Sequence, residues 1–518
     1  MKKRPVILIV FVSFALFLVF SILQNYLVYR AIQHIDLDKA SQLSQTAIIL
    51  PKIMNTISFQ QITSLKLWEF TLKQLPAINQ LQKDSQLYLA QIINNEPIDK
   101  TLPKKIVENL EKINEELNKI DAKQLNKIKS IFNEVLIIAK KLLSEDVNYI
   151  VLLQNNDELR ATGGFMGSYF VLASQDGQIS LPQIQDIYAP DGQFKGFLKA
   201  PKGMEKYLSS GNGMRLPDAN WWPNFPDSAE QILYFFEETE KKDYQGVIAI
   251  NLHTIEELLD LTGDVYLPDY RKSVNKNNFA SIAREDRNNF FPGSQEKVNF
   301  LNHFLKMFKF QFIESMKKNP QKFIALGQEL IKSKELQFYS RNQEIAAILD
   351  HWQADGSMKN GQAGLYYFLV ESNVGINKAN RLVNRQITIN IKQEQETINI
   401  NFQNANQYPY VNYQRLYTNA DTTLLNIKIN GQKVEEIDQR IMTTKNSQTW
   451  QEIGFLVPVL TNNSSNVEIN LASKLSIDEK KEIFIQKQSG LQATDYIIHY
   501  QDQSKSFKLS GDQSINFN

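Results

Sequence analysis

Apolar and polar positions follow three regimes along this chain, and each predicts a different kind of element. The first is a run, Val6 to Leu23, broken only by Ser13 and Ser21 and free of charge. Extended through Tyr26, Leu27, Val28 and Tyr29, it reaches the ~20 residues that cross ~30 Å of hydrocarbon, with two tyrosines at interfacial depth. Lys2, Lys3 and Arg4 precede it, and Arg30, Asp36 and Asp38 follow. The basic excess ahead of the run predicts a single-pass anchor in the bacterial cytoplasmic membrane, N-terminus inside and bulk extracytoplasmic, with residues 6–29 meeting the lipid bilayer. Gln24-Asn25-Tyr26 makes a poor cleavage site, so the segment reads as a retained signal anchor.

The second regime has the helical period. Ile106, Leu110, Ile113, Leu117 and Ile120 fall on one helix face, and Leu125, Ile128, Phe132 and Val135 resume the pattern after Asp121-Ala122-Lys123. Residues 31–146 therefore read as a helical membrane-proximal region. At Asn148 the pattern changes. Tyr149 to Leu153 and Gly246 to Ile250 are short continuous apolar runs, as in strands buried on both faces. Helical stretches at Asp227–Glu240 and Thr254–Leu261, the latter closed by Gly263, separate and follow them. Residues 147–379 are expected to form a central mixed α/β domain.

The third regime has period two. Ile387, Ile389 and Ile391 alternate with polar residues, as do Ile398, Ile400 and Phe402, then Leu425, Ile427 and Ile429, then Val467, Ile469 and Leu471. With Asn430-Gly431 as a hairpin signal, residues 380–518 read as a C-terminal β-sandwich. The whole is an α+β multidomain protein, with residues 1–30 as cytoplasmic tail and transmembrane helix.

Composition narrows the function classes. The chain has 518 residues, 42% hydrophobic and 22% charged, enough for several folded domains. A net charge of +1 lacks the basic excess of a nucleic-acid binder. With no cysteine, disulfides, thiolate catalysis and Cys-ligated zinc are excluded. His34, His253, His303, His351 and His499 form no close pair, and neither a Walker A loop nor a GxSxG elbow occurs. Ser315-Met316-Lys317-Lys318 matches SxxK without its companion motifs.

Two segments are dense in special residues. In Gln154-Asn155-Asn156-Asp157-Glu158-Leu159-Arg160-Ala161-Thr162-Gly163-Gly164-Phe165, Gly163 and Gly164 could form an anion nest beside the Arg160 fork. The same residues also suit a structural turn in which Arg160 pairs with a nearby acid. In Asp218-Ala219-Asn220-Trp221-Trp222-Pro223-Asn224-Phe225-Pro226-Asp227, Trp221 and Trp222 could stack on a sugar, or cover the core of a proline-rich loop.

These residues carry a resemblance. The first segment, together with Asp218-Ala219-Asn220-Trp221, Phe225-Pro226, Ser372-Asn373-Val374-Gly375, Asn377-Lys378 and Gln486-Lys487-Gln488-Ser489-Gly490, resembles the bacterial membrane-anchored family known as domain of unknown function 4012. That family usually has proline where Ser489 stands. It implies a location and an architecture, and no activity. A more distant similarity is to the LytR-CpsA-Psr phosphotransferases, which move lipid-pyrophosphate-linked glycopolymers to the cell wall. Leu153 to Thr162 looks like their strand followed by Arg-Ser-Asp, Gln245 to Val265 like their helix-strand-helix segment, and Arg284-Glu285-Asp286-Arg287 like their Arg-x-Arg. Thr162 departs from their metal-binding aspartate.

From the second resemblance follows an expected pyrophosphate site at Arg160, Gly163, Gly164, Arg284 and Arg287. Asp157 or Glu158 would hold Mg2+. Three roles follow: a binding or scaffolding protein of the cell envelope, a glycopolymer transferase acting on a polyprenyl-linked glycan, or a carbohydrate-binding module contacting cell-wall polymer through Trp221 and Trp222.

Overall fold

In the computed structural model the described residues are 59–94, 99–121, 123–180, 183–285, 295–359, 364–393, 395–444 and 448–518. The expected span at 6–29 and Arg287 lie outside them, as does the side chain of Arg284, which belongs to helix Phe279–Glu285. Among the described residues no helix is long and apolar enough to cross a membrane.

Three helices come first: α1 (Phe59–Asn94), α2 (Thr101–Asn118) and α3 (Asn126–Ser144). The helical-period residues of α2, Ile106, Leu110, Ile113 and Leu117, are all buried, as are Phe132, Val135, Ala139 and Leu143 of α3. They do not close a core of their own. The same apolar cluster runs on through Val151, Phe170, Ile248 and Ile250 of the adjoining sheet and Phe304, Phe308 and Phe312 of helix Gln295–Lys318. Helices and sheet are thus one packing unit.

That sheet runs in the order Gln178–Ser180, β2 (Gly163–Gln175), β1 (Val147–Arg160), Gly246–Asn251, Leu336–Ser340, with Gln185–Asp186 also on β2. Only β1 and Gly246–Asn251 pair in parallel; the other neighbours are antiparallel. Alternate residues of β1 serve different cores. Val151 faces the helices, while Ile150 and Leu152 face a second cluster with Trp221, Phe225, Ile232 and Phe236. Burial on both faces explains why Tyr149 to Leu153 is apolar without alternation. Helix Phe225–Glu240 covers the second face.

The remainder is a sandwich. Its seven-stranded sheet has the order Gln432–Lys433, Thr423–Ile429, Asn463–Ala472, Glu396–Asn404, Val383–Ile391, Thr494–Tyr500, Gln503–Leu509. Its six-stranded sheet has the order Asp438–Thr443, Thr449–Val459, Tyr410–Asn419, Leu365–Asn373, Glu482–Gln486, Gln513–Asn516. The alternating residues Ile387, Ile389, Ile391, Ile398, Ile400, Phe402, Val467, Ile469 and Leu471 form the core between them. Asn430 and Gly431 take φ of 52° and 79° in the tight turn joining Ile429 to Gln432. One strand crosses the expected boundary at Asn380: Leu365–Asn373 sits between Tyr410–Asn419 and Glu482–Gln486. The sandwich therefore begins with Leu365. Leu365 to Phe368 are continuously buried, because both faces of this strand are covered, and so they lack a period-two signal.

Candidate functional site

The residues singled out by the sequence meet where β1 ends against the sandwich. The β1–β2 pairing slips between Leu153 and Gln154 and again between Asn155 and Leu159. This bulge releases Asn156 to Glu158 from the ladder and re-aims their side chains. At its end Arg160 is 1% exposed. Its Nε donates to Asp218 Oδ1 at 3.0 Å and its Nη2 to Glu158 Oε1 at 3.0 Å. Its Nη1 donates to the carbonyls of Leu159 at 3.2 Å and Asn373 at 2.9 Å. The Phe165 ring lies 5.6 Å from the guanidinium carbon. Burial opposes the charge of Arg160, but Asp218 and Glu158 outweigh it and hold the pKa above the usual arginine value. Every nitrogen of the fork is engaged by the protein, so the expected open anion grip is instead a closed clamp between β1, the Asp218 loop and the sandwich.

The carboxylates beside it point elsewhere. Asp157 is buried, and its Oδ1 accepts from Arg381 Nε at 3.3 Å; Arg381 also bonds Glu256. Asp157 and Glu158 thus serve different arginines. Among the described residues no three His, Asp or Glu side chains converge where a metal ion could sit.

The glycines answer to close approach of backbones. A Cβ on Gly163, whose φ is +134°, would lie 2.2 Å from Asn251 Oδ1, and one on Gly164 would lie 2.2 Å from the carbonyl carbon of Asn155. A Cβ on Gly490, φ +77°, would lie 2.2 Å from the carbonyl oxygen of Gly163. Three chain segments touch here, and only glycine fits between them. The Gly164 N–H is directed to Gln154 Oε1 at 3.4 Å, so it lines no open nest.

Around this contact runs an amide network that sequence reasoning missed. Asn220 Nδ2 donates to Gln154 Oε1 at 2.8 Å, Thr162 Oγ1 at 3.1 Å and the Gly164 carbonyl at 2.9 Å. Thr162, at the position of the transferases' aspartate, donates its hydroxyl to Gln154 Oε1 at 3.1 Å. From the sandwich, Gln488 Nε2 donates to the Arg160 and Glu371 carbonyls at 3.0 and 2.8 Å. Asn251 Nδ2 donates to Ser489 Oγ at 2.9 Å, and Ser489 Oγ to the Lys334 carbonyl at 2.5 Å. The signal was present in Gln486 to Gly490 as part of the family resemblance, but nothing local tells which strand it caps.

Lysines are buried at the same junction. Lys487 Nζ donates to the carbonyls of Ser333, Gln488 and Leu491 at 3.0, 2.9 and 2.7 Å, while burial pushes its pKa down to about 8. Lys334, paired with Asp512 at 2.7 Å, is also lowered by burial. Burial raises Glu335 beside them.

Trp221 is packed into the core and is not free to act as a sugar platform. Trp221 is 1% exposed, stacked on Tyr413 with ring centres 5.5 Å apart, and Arg415 lies 4.5 Å over its face. Trp222 is half-buried against the same core. A sugar would have to displace that core to reach the Trp221 face. A cavity bordered by Glu371, Arg385, Gln414 and Lys487 offers about 20 Å³, room for one water molecule.

Residues 144–287 match the family described as "Protein of unknown function (DUF4012)". The match contains β1, the bulge, Arg160, both glycines and both tryptophans. No curated protein matches the chain. Among solved structures, one similar chain is a putative nutrient binding protein from Legionella pneumophila subsp. pneumophila str. Philadelphia 1, with 8% identity and a TM-score of 0.19 over 27% of this chain and 56% of that one. Another is an M1 zinc metallopeptidase from Deinococcus radiodurans, with 9% identity and a TM-score of 0.13 over 27% of this chain and 32% of that one. This chain thus spans little more than half of the first and a third of the second.

Proposed function

We propose that this chain is a single-pass, membrane-anchored extracytoplasmic protein of the bacterial envelope, with a binding or scaffolding role. The anchor rests on the uncharged run from Val6 and its basic N-terminal flank. The scaffolding role rests on one observation, the saturation of Arg160 by Asp218, Glu158 and two carbonyls. The fork that a pyrophosphate would need is used to fasten the α/β layer to the sandwich. A buried arginine so paired could release its partners only by leaving buried Glu158 and half-buried Asp218 uncompensated.

Protease added to intact spheroplasts should digest the chain beyond about Arg30; full protection of the C-terminal part would sink the anchored orientation. Calorimetric titration of the full chain in detergent with a short-chain polyprenyl pyrophosphate, with and without Mg2+, should give no binding heat. Binding that disappears in Arg160→Ala but not in Trp222→Ala would overturn the scaffold reading and favour glycopolymer transfer.

A further inference from the structure

The sandwich closes one lysine and one glutamate off from water completely. Glu396 opens strand Glu396–Asn404 of the seven-stranded sheet. Lys480 lies in the turn Glu479–Lys481, which leads into Glu482–Gln486 of the six-stranded sheet. Lys480 Nζ stands 2.7 Å from Glu396 Oε1, and both side chains are 0% exposed. Among the described residues no other lysine–carboxylate pair is so enclosed; Lys334 and Asp512 keep 7% and 18%. Two full charges held away from water are costly, and the cost is relieved when both disappear together.

The two oxygens of Glu396 have different surroundings. Oε1 faces the lysine and accepts from Ser473 Oγ at 2.9 Å. Oε2 is buried with no hydrogen-bond partner among the described residues. Lys480 Nζ also donates to the Gln393 carbonyl at 3.0 Å. These are the surroundings an amide needs. Its N–H would keep Gln393, its C=O would keep Ser473, and the oxygen to be lost is the one that nothing holds. The Tyr367 hydroxyl is a third buried group without a hydrogen-bond partner among the described residues. Burial, and then the Glu396 carboxylate, raises its pKa well above the ordinary tyrosine value, so it stays protonated beside that carboxylate.

We propose that Lys480 and Glu396 condense inside the folded sandwich to an internal amide, a covalent staple between its two sheets. The step balances without a further reactant. Nζ passes one proton to Oε2, which leaves a neutral amine and a neutral acid. The Nζ lone pair attacks Cδ, and the C=O electron pair moves onto Oε1. As that pair returns, the Cδ–Oε2 bond breaks, and Oε2 takes a second proton from Nζ and leaves as water. Nζ keeps its last hydrogen as the amide N–H. Tyr367 is the hydroxyl placed to pass these protons. Reacting groups fixed in register behave as if present at ~10⁵ M or more, which favours condensation over the free ions. Exclusion of water protects the product. The chain has no cysteine, so no disulfide can supply such a staple.

The full chain, purified in detergent, is unfolded and digested with trypsin, which passes over a lysine whose amine has become an amide. Cleavage after Lys392, Arg415, Lys474 and Lys481 should release 393–415 joined to 475–481. The joined species should be lighter than the two peptides together by one water, and fragmentation should place the link at Glu396 and Lys480. Recovery of 393–415 and 475–480 only as separate peptides, from protein kept folded for days, overturns the inference. So does a water lost at another pair, such as Lys334 with Asp512, in place of this one. In Lys480→Met the link should be absent, and a water loss that persists on 393–415 would also overturn it. The parent chain decides the matter whether or not Lys480→Met folds.

Discussion

The α/β sheet has two junctions, and only one of them adds a dense polar network to its apolar contacts. Against α1, α2 and α3 it shares a continuous apolar core in which Ile106, Leu110, Ile113 and Phe132 meet Val151, Phe170 and Ile248. Against the sandwich an apolar contact of Trp221 on Tyr413 is joined by a polar network of Arg160, Gln488, Asn251, Asn380, Arg381, Lys334 and Lys487, and this network is what sets the second junction apart. Apolar burial is strong but has no direction, so the first junction fixes that the parts meet. Hydrogen bonds need defined distances and angles, so the second fixes how they meet. Buried polar networks contribute little net stability when complete and cost much when one member is removed. The second junction should therefore be brittle where the first is tolerant.

The sharpest break is at Gly490. Gly490→Ala puts a Cβ 2.2 Å from the Gly163 carbonyl oxygen at a φ of +77°. Backbone cannot yield there, so a loss of about 4 kcal/mol or more is expected in denaturant unfolding; wild-type stability would show that the segments do not touch. Next comes a matched pair. Arg160→Ala should cost about 3–5 kcal/mol by leaving buried Glu158 and half-buried Asp218 without a partner, and Arg160→Lys should recover little of it because the fork is lost. Leu110→Met, equally buried in the other junction, should cost less than about 1.5 kcal/mol. Equal losses from Arg160→Lys and Leu110→Met would end the contrast.

The third prediction concerns pH. The folded pKa of Lys487 is about 8, below the unfolded value of 10.5. Between these values the unfolded chain binds more protons, so stability must rise with pH. The full gain would be on the order of 3 kcal/mol, and Lys334, lowered by the same burial, acts in the same direction. Tyrosines raised by burial, such as Tyr366 and Tyr367, oppose it once their unfolded forms ionise near pH 10. Melts should therefore show stability increasing from pH 8 toward 10, and a flatter profile in Lys487→Met. The smallest effect is expected at Ile376, exposed and at a φ of +51°. Glycine relieves about 1–2 kcal/mol of left-handed strain and gives back about 0.5–1 kcal/mol in chain entropy. Ile376→Gly should thus raise the melting midpoint slightly, and a clear fall would show that the Ile376 side chain supports the fold.

Periodicity located most of the elements and little of the site. Tyr149–Leu153 and Gly246–Ile250 are strands, α2 and α3 bury the residues that share a face, and Ile387 to Ile391 alternates as the sandwich requires. These features depend on neighbours within a few positions. The expected boundary at Asn380 leaves Leu365–Asn373 in the central domain, although it pairs within the six-stranded sheet of the sandwich, because a continuously buried strand looks alike in any fold. The segment around Arg160 was recognisable as unusual, and its alternative as an ion-paired turn was visible. What could not be read was that Asp218 and Asn373, 58 and 213 positions away, converge on one guanidinium. Trp221 reads as a ligand platform or as core from the same letters, and only the stacking of Tyr413 and Arg415 on it decides.

The sequence separations across the polar junction have a consequence for how the chain is made. Gln488 closes on Arg160 from 328 positions downstream, and Asn156 bonds Gly490 from 334. When the ribosome has finished the sheet, at Ser340, the residues that cap its end do not yet exist. Arg160 must wait beside Asp218 without its final carbonyl partner, and Asn251 without Ser489. Long-range pairings of this kind are slow to form and leave intermediates prone to aggregation. A message truncated shortly before Gln486 would spare the core shared by the helices and the sheet, but it would strip Tyr496, Ile498, Tyr500 and Ile515 from the sandwich core and leave a charged, half-closed seam for quality-control proteases to find. The last strands thus act as a seal of completion, and a nonsense mutation late in the gene should remove the protein almost as thoroughly as one near its start.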